Sequence, residues 1–134
     1  MENDKMIKTV IEENNKCLFL SKQIKNYALF ESAVYYFSNV LSSDYSGGMW
    51  DFIKISNKAF YMKPHCDDSF NVTVTGNYFD EKLSSDAFGI VVTLFALNYV
   101  AQKPNNDDAI DKYYLLMDYV DQHSDASKIF RAIN

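Results

Sequence analysis

Residues 70–102 read Phe-Asn-Val-Thr-Val-Thr-Gly-Asn-Tyr-Phe-Asp-Glu-Lys-Leu-Ser-Ser-Asp-Ala-Phe-Gly-Ile-Val-Val-Thr-Leu-Phe-Ala-Leu-Asn-Tyr-Val-Ala-Gln, and two periods meet in them. At the start, Phe70, Val72 and Val74 alternate with Asn71, Thr73 and Thr75. A period of two marks an antiparallel strand with one wet face. Gly76-Asn77 predicts a turn, and Tyr78-Phe79 the start of a short fourth strand. Ser84-Ser85-Asp86 then opens a helix: a serine hydroxyl can accept from the free first-turn amides, and Asp86 suits the positive end of the dipole. That helix runs to about Gln102 and is apolar nearly all round, as a central core element should be. Lys103-Pro104 ends it. Its apolar stretch, Ala87 to Ala101, carries Thr93 and Asn98 and falls short of the ~20 residues of a bilayer span.

Outward from this segment the pattern stays mixed. Trp50 to Ile55 and Ala59 to Lys63 read as paired strands, joined by an Asn57-Lys58 turn in which Asn tolerates positive φ and stopped by Pro64. Gly47-Gly48 is the clearest break before them. From Leu29 to Leu41, the residues Leu29, Ala33, Tyr36, Phe37, Val40 and Leu41 recur at helical spacing. Residues 6–12 suit an edge strand, and 17–27 fit either class. After Pro104, a helix over about Asp107 to Gln122 places Ile110, Tyr113, Leu116, Met117 and Val120 on one face, and a short helical turn covers Ala126 to Ala132. The expectation is an α+β fold: a small antiparallel sheet of three to four strands packed against a buried central helix and flanking helices. It occupies one domain, 1–134, with 1–25 as a partly ordered N-terminal segment.

With 134 residues, 48% hydrophobic and 16% aromatic, the chain is long enough for a real core and too apolar for disorder. Net charge is −5, and Arg131 is the single arginine among 13 Lys and Arg. No basic stripe is visible, so direct DNA binding is disfavoured. A charge of −5 is also too sparse to imitate a long duplex. Met1-Glu-Asn-Asp-Lys5 has neither the basic start nor the apolar run of a signal peptide, which points to the cytoplasm. Cys17 and Cys66 fit no metal spacing and read as reduced thiols.

No catalytic motif appears. Gly47-Gly48 is followed by Met49-Trp50, not by the Lys-Ser or Lys-Thr of a phosphate loop, and no G-x-S-x-G elbow is present. His65-Cys66-Asp67 holds ligand-capable groups, but adjacent positions rarely converge on one tetrahedral metal. Asp67-Asp68, Asp80-Glu81 and Asp107-Asp108 read as solvated loop pairs. The expectation is therefore no enzyme, no cofactor and no metal.

Two surfaces remain as candidates. Residues 104–125 contain six acids and one base, Lys112, a net −5 equal to that of the whole chain. At ~100° per residue, Asp107, Asp111, Asp118 and Asp121 fall within about 80° of one another. They form an acidic stripe, either an ordinary solvated face or a contact for a basic partner. Tyr45, Trp50, Phe52, Phe60 and Tyr61 crowd one hairpin, either as core or as an exposed aromatic site.

Three segments taken together resemble the ArdB/KlcA family of antirestriction proteins. Leu41-Ser-Ser-Asp-Tyr-Ser-Gly-Gly-Met-Trp-Asp-Phe52, with Ser56-Asn57 and Phe60-Tyr-Met-Lys-Pro64, is similar to the family's L-S-x-D-Y-x-G-G-x-W-x-F pattern and its continuation. Leu83 to Leu97 resembles its S-x-D-A-x-G-I-V-x-T-L-F-A-L segment, and Ile129-Phe-Arg-Ala-Ile133 its C-terminus. The resemblance implies a plasmid- or mobile-element-encoded protein that lowers restriction by host type I restriction–modification complexes without a cofactor. The motif residues Asp44, Tyr45, Gly47, Gly48, Trp50, Phe52, Ser85, Asp86 and Gly89 read as structural: Gly47-Gly48 for a turn, Trp50 and Phe52 for a core, and Ser84 to Leu97 for a capped buried helix. Two other classes stand beside this inhibitor: a generic protein-binding adaptor using the acidic helix face, and a small enzyme, which would require a pocket with perturbed carboxylates. The oligomeric state is not legible.

Overall fold

A computed structural model describes residues 5–134. Strand β1 is Lys8–Val10, followed by a 3-10 turn at Glu13–Asn15 and helices α1 (Lys16–Gln23) and α2 (Tyr27–Leu41). Strands β2 (Trp50–Ile55), β3 (Phe60–Pro64), β4 (Ser69–Val74) and β5 (Phe79–Ser84) come next, then helices α3 (Ser85–Ala101), α4 (Asp107–Val120) and α5 (Ala126–Ile133). The α+β class is as expected. Among the described residues, however, the strands are five and form two antiparallel sheets, ordered β1-β2-β3 and β4-β5. The two hairpins do not share a ladder, and α3 packs against β3 of one and against β4 and β5 of the other.

Helix α3 is the centre of the core. Ala87, Phe88, Ile90, Val91, Val92, Leu94, Ala96, Leu97 and Val100 are all fully buried. Burying each large side chain contributes roughly 1.5–3 kcal/mol, so no other element accounts for as much of the apolar stabilisation. Ser84 is both the last residue of β5 and the N-cap, its hydroxyl accepting from the Ala87 amide at 3.1 Å. Ser85 is not the cap; its buried hydroxyl donates to the Cys66 carbonyl at 2.7 Å.

Several local readings are corrected. The apolar stripe of α2 faces inward through Phe30, Ala33, Val34 and Leu41, while Tyr36 and Val40 are exposed. The helix is apolar on most of its circumference, so periodicity alone does not choose the buried side. The chain turns at Gly76-Asn77 as expected, but left-handed backbone falls on Lys58 rather than Asn57, and on Tyr78 in the second turn. The asparagine before each instead accepts from the amide two residues on, Asn57 from Ala59 and Asn77 from Phe79, both at 3.0 Å. Asparagine thus makes the side-chain turn, and its neighbour takes the left-handed conformation. Pro64 is the last residue of β3 and ends it as expected, tolerated within the strand because β3 is an edge strand. Within the N-terminal segment the described residues form β1 and α1; the signal-peptide reading falls mostly on residues 1–4, outside the described residues.

Candidate functional site

The loop between α2 and β2 is tied at both ends and open in the middle. Asp44 accepts from the backbone and side-chain amides of Asn71, both at 2.8 Å, which fastens the loop to β4. Tyr45 receives the Trp50 indole N–H at 3.0 Å and packs edge-on to its ring. Gly47 and Gly48 have φ of +93° and +115° with open space around them, so the backbone angle and not crowding requires glycine. Trp50 and Phe52 are each 5% exposed. Phe60 and Tyr61 are fully buried as well, so the aromatic hairpin is core and not a surface patch.

Gly89 and Thr93 stand one turn apart on α3 and face the open edge of β3. A Cβ on Gly89 would lie 2.3 Å from the Met62 carbonyl oxygen and 2.6 Å from the Lys63 Cα. Thr93 Oγ1 accepts the Met62 amide at 3.1 Å. The glycine brings helix and strand backbones together, and the threonine satisfies an edge amide that would otherwise be buried without a partner.

Asp86 is the hub of a polar cluster that its place in the sequence did not suggest. Its Oδ1 accepts the Tyr61 hydroxyl of β3 at 2.6 Å, and its Oδ2 accepts His123 Nε2 at 2.7 Å. Lys8 of β1 lies 3.5 Å away. Burial by itself would raise the carboxyl, but the hydrogen bonds from His123 and Tyr61 and the Lys8 charge outweigh it and hold the group at about 2. Burial, followed by the Asp86 charge, pushes the Tyr61 phenol far above its ordinary value. Asp86 therefore joins β1, β3, α3 and the α4–α5 turn, a larger role than the dipole partner expected of it.

The chemistry open to this cluster follows from His123. Its Nδ1 accepts the Asp125 amide at 2.9 Å while Nε2 donates to Asp86. Both contacts are satisfied by the neutral Nε2–H tautomer. A general base needs a ring nitrogen turned toward a reacting proton, and here each nitrogen is already taken by the protein. A cleft of about 480 Å³ adjoins the cluster, lined among others by Lys8, Lys63, Asp67 and Tyr119. Sequence reasoning missed the cluster because its members are spread from position 8 to position 123; a histidine four residues after a helix's last buried aromatic, Tyr119, was the only local signal.

The four stripe carboxylates Asp107, Asp111, Asp118 and Asp121 are all exposed on α4 and its C-terminal cap. Asp118 and Asp121 sit where the helix dipole is negative, and no basic residue occupies that last turn. Their neighbours are not idle. Asp108 is half-buried and accepts the Lys25 amide at 2.7 Å, and Asp125 accepts the Ser84 hydroxyl at 3.2 Å. Glu81 forms a two-pronged pair with Arg131. Asp80 accepts the Thr73 hydroxyl at 3.2 Å, so both members of the pair 80–81 and one of the pair 107–108 are bonded within the fold, whereas Asp67-Asp68 is exposed. His65 pairs with Asp51 at 2.9 Å, and Cys66 lends its carbonyl to Ser85.

Residues 43–134 match the family model of antirestriction proteins. The chain belongs to the antirestriction protein family. Among the relatives of this antirestriction protein is KlcA of Escherichia coli, 41% identical over 108 residues, which covers 78% of this chain and 74% of KlcA. YubI of E. coli K12, a putative antirestriction protein, is 27% identical over an alignment spanning all of both chains. In fold, the protein superposes with a TM-score of 0.87 and 31% identity on a solved chain, covering 100% of its own length and 99% of the other. That structure comes from work on KlcA and ArdB describing a novel fold and antirestriction activity against type I DNA restriction systems in vivo but not in vitro. The α+β architecture of this antirestriction protein is thus that of KlcA and ArdB.

Proposed function

We propose that this protein lowers DNA restriction by host type I restriction–modification systems in the cytoplasm and so protects incoming plasmid or mobile-element DNA. The observation that carries the reading is the whole-length likeness in fold, at 31% identity, to a protein with that activity in cells. The action is non-enzymatic, and the reading takes residues 1–134 as one antirestriction domain. Support for the first point comes from the His123–Asp86 pair, whose polar atoms are spent on one another and on the Asp125 amide. The contrast between in vivo and in vitro activity in the relative supports an effect that needs a cellular component besides the restriction complex. The exposed carboxylates Asp107, Asp111, Asp118 and Asp121 are the face offered to the basic surfaces of DNA-handling enzymes, where complementary charge gives steering and register.

The test is transformation of unmodified plasmid into a host carrying a type I system, with and without the protein, beside cleavage and methylation by the purified complex. Protection in cells with little effect on the purified complex is expected. Equal transformation with and without the protein would overturn the reading.

A further inference from the structure

The β2–β3 and β4–β5 hairpins turn by the same device, and one of them carries a residue that the device does not explain. In the first, Asn57 also donates its side-chain amide to the Leu115 carbonyl of α4 at 2.9 Å, and Lys58 takes φ of 78°. In the second, Asn77 donates to the Ala132 carbonyl of α5 at 2.8 Å, and Tyr78 takes φ of 64°. Lys58 serves the fold, its carbonyl accepting Lys112 Nζ at 2.7 Å. Tyr78 has no such use. It is 95% exposed, and no hydrogen bond or ring contact from the described residues reaches it. A left-handed position favours glycine or asparagine, and an exposed ring gains nothing from burial. Neither backbone preference nor packing accounts for an aromatic side chain there.

Its setting is suited to contact. The Asn77 clamp on α5 holds the turn, so the ring is presented on a firm base. Beside it lies a hollow of about 260 Å³ lined by Asn77, Phe79, Glu81, Arg131 and Asn134. Arg131 stands over the Phe79 ring and is paired with Glu81, and Lys82 and Lys128 lie on the same two elements, against the one further acid Asp80. Across β5 and α5 the three cations exceed Asp80 and Glu81 by one, on a chain of net charge −5.

We propose that Tyr78 is the anchor of a second contact surface, which inserts into an apolar slot of a protein partner rimmed by carboxylates. Exposed tyrosine flanked by arginine is the composition of interface hot spots. A nucleic acid fits less well: with Arg131 engaged by Glu81, two lysines release too few counterions to hold a strand against the net charge. The proposal rests on the antirestriction reading only for its cellular readout.

The experiment compares the parent, Tyr78→Gly and Tyr114→Ala, the last altering another exposed tyrosine, on a helix. Tyr78→Gly should melt at the parent temperature or up to ~4 °C above it, since glycine suits the turn. In the restricting host it should lose at least ~10-fold of the parent's protection, whereas Tyr114→Ala keeps it. A lowered melting temperature would make Tyr78 structural and overturn the proposal, as would full protection by Tyr78→Gly. So would Tyr78-dependent binding of a single-stranded oligonucleotide in fluorescence anisotropy. A parent that fails to protect sinks the antirestriction reading instead. Position 78 is then decided by a photoreactive phenylalanine analogue in the same cells. An adduct from 78, absent from 114 and lost on Lys82→Glu with Lys128→Glu, keeps the proposal; equal yields at both positions overturn it.

Discussion

The protein carries two concentrations of acid around α4, and they behave in opposite ways. Asp86 is mostly buried at the base of the α4–α5 turn, with a tyrosine, a histidine and a lysine from three other elements converging on it. Asp107, Asp111, Asp118 and Asp121 lie along the outer face and cap of one helix, in water. A carboxylate removed from solvent is tolerable only when donors replace the lost hydration, and then the donors are committed to it. Carboxylates in water need no such partners, contribute little to folding and remain available to another molecule. Asp86 is a joint of the fold and the four aspartates of α4 a surface, although the residue type is the same in the sequence.

Breaking the joint should have the largest effect. Asp86→Ala leaves the His123 Nε2–H and the Tyr61 hydroxyl without an acceptor in a largely buried place, and a loss of ~2–4 kcal/mol is expected. Denaturant unfolding measures it, and a loss within error of zero would mean that the cluster is incidental. Acid should reproduce part of this. The Asp86 carboxyl is lowered from 3.8 to about 2 on folding. Its stabilisation is therefore complete above the unfolded value, and it is lost as pH falls through the folded value. The difference in stability between parent and Asp86→Ala should be flat above pH ~5 and shrink toward pH 2 by roughly 2 kcal/mol. A difference that stays constant across that window would contradict the assignment.

Tyr61→Phe removes one donor while keeping the stacked ring against Tyr119. A cost of ~1–2 kcal/mol is expected, together with a carboxyl that titrates higher, because one of the bonds lowering it is gone. NMR titration of the Asp86 side chain in both proteins checks the direction. At the other extreme, changing Asp107, Asp111, Asp118 and Asp121 together to Asn should move stability by no more than ~0.5 kcal/mol. Relief at the negative end of α4 offsets the loss of Asp107 at the positive end. Protection of unmodified DNA should nevertheless fall. A folded quadruple variant that protects as well as the parent would reduce the stripe to a solvated face.

The sequence by itself determined the local structure wherever one period dominated. The alternation from Phe70 to Val74 and the capped apolar run after Ser84 are strand and helix because neighbouring residues decide both. The buried Trp50 and the left-handed Gly47 and Gly48 were legible for the same reason: bulk and missing Cβ act at their own position. Tertiary structure alone decided which face of α2 turned inward, since Leu29–Leu41 offers apolar residues on most sides and only the neighbours choose among them. It also divided the hairpins between two sheets, because strand patterns carry no record of their partners. Above all, it brought Lys8, Tyr61, Asp86 and His123 to one point. A carboxylate's role depends on the donors within 3.5 Å of it, and in this chain those donors come from 78, 25 and 37 residues away.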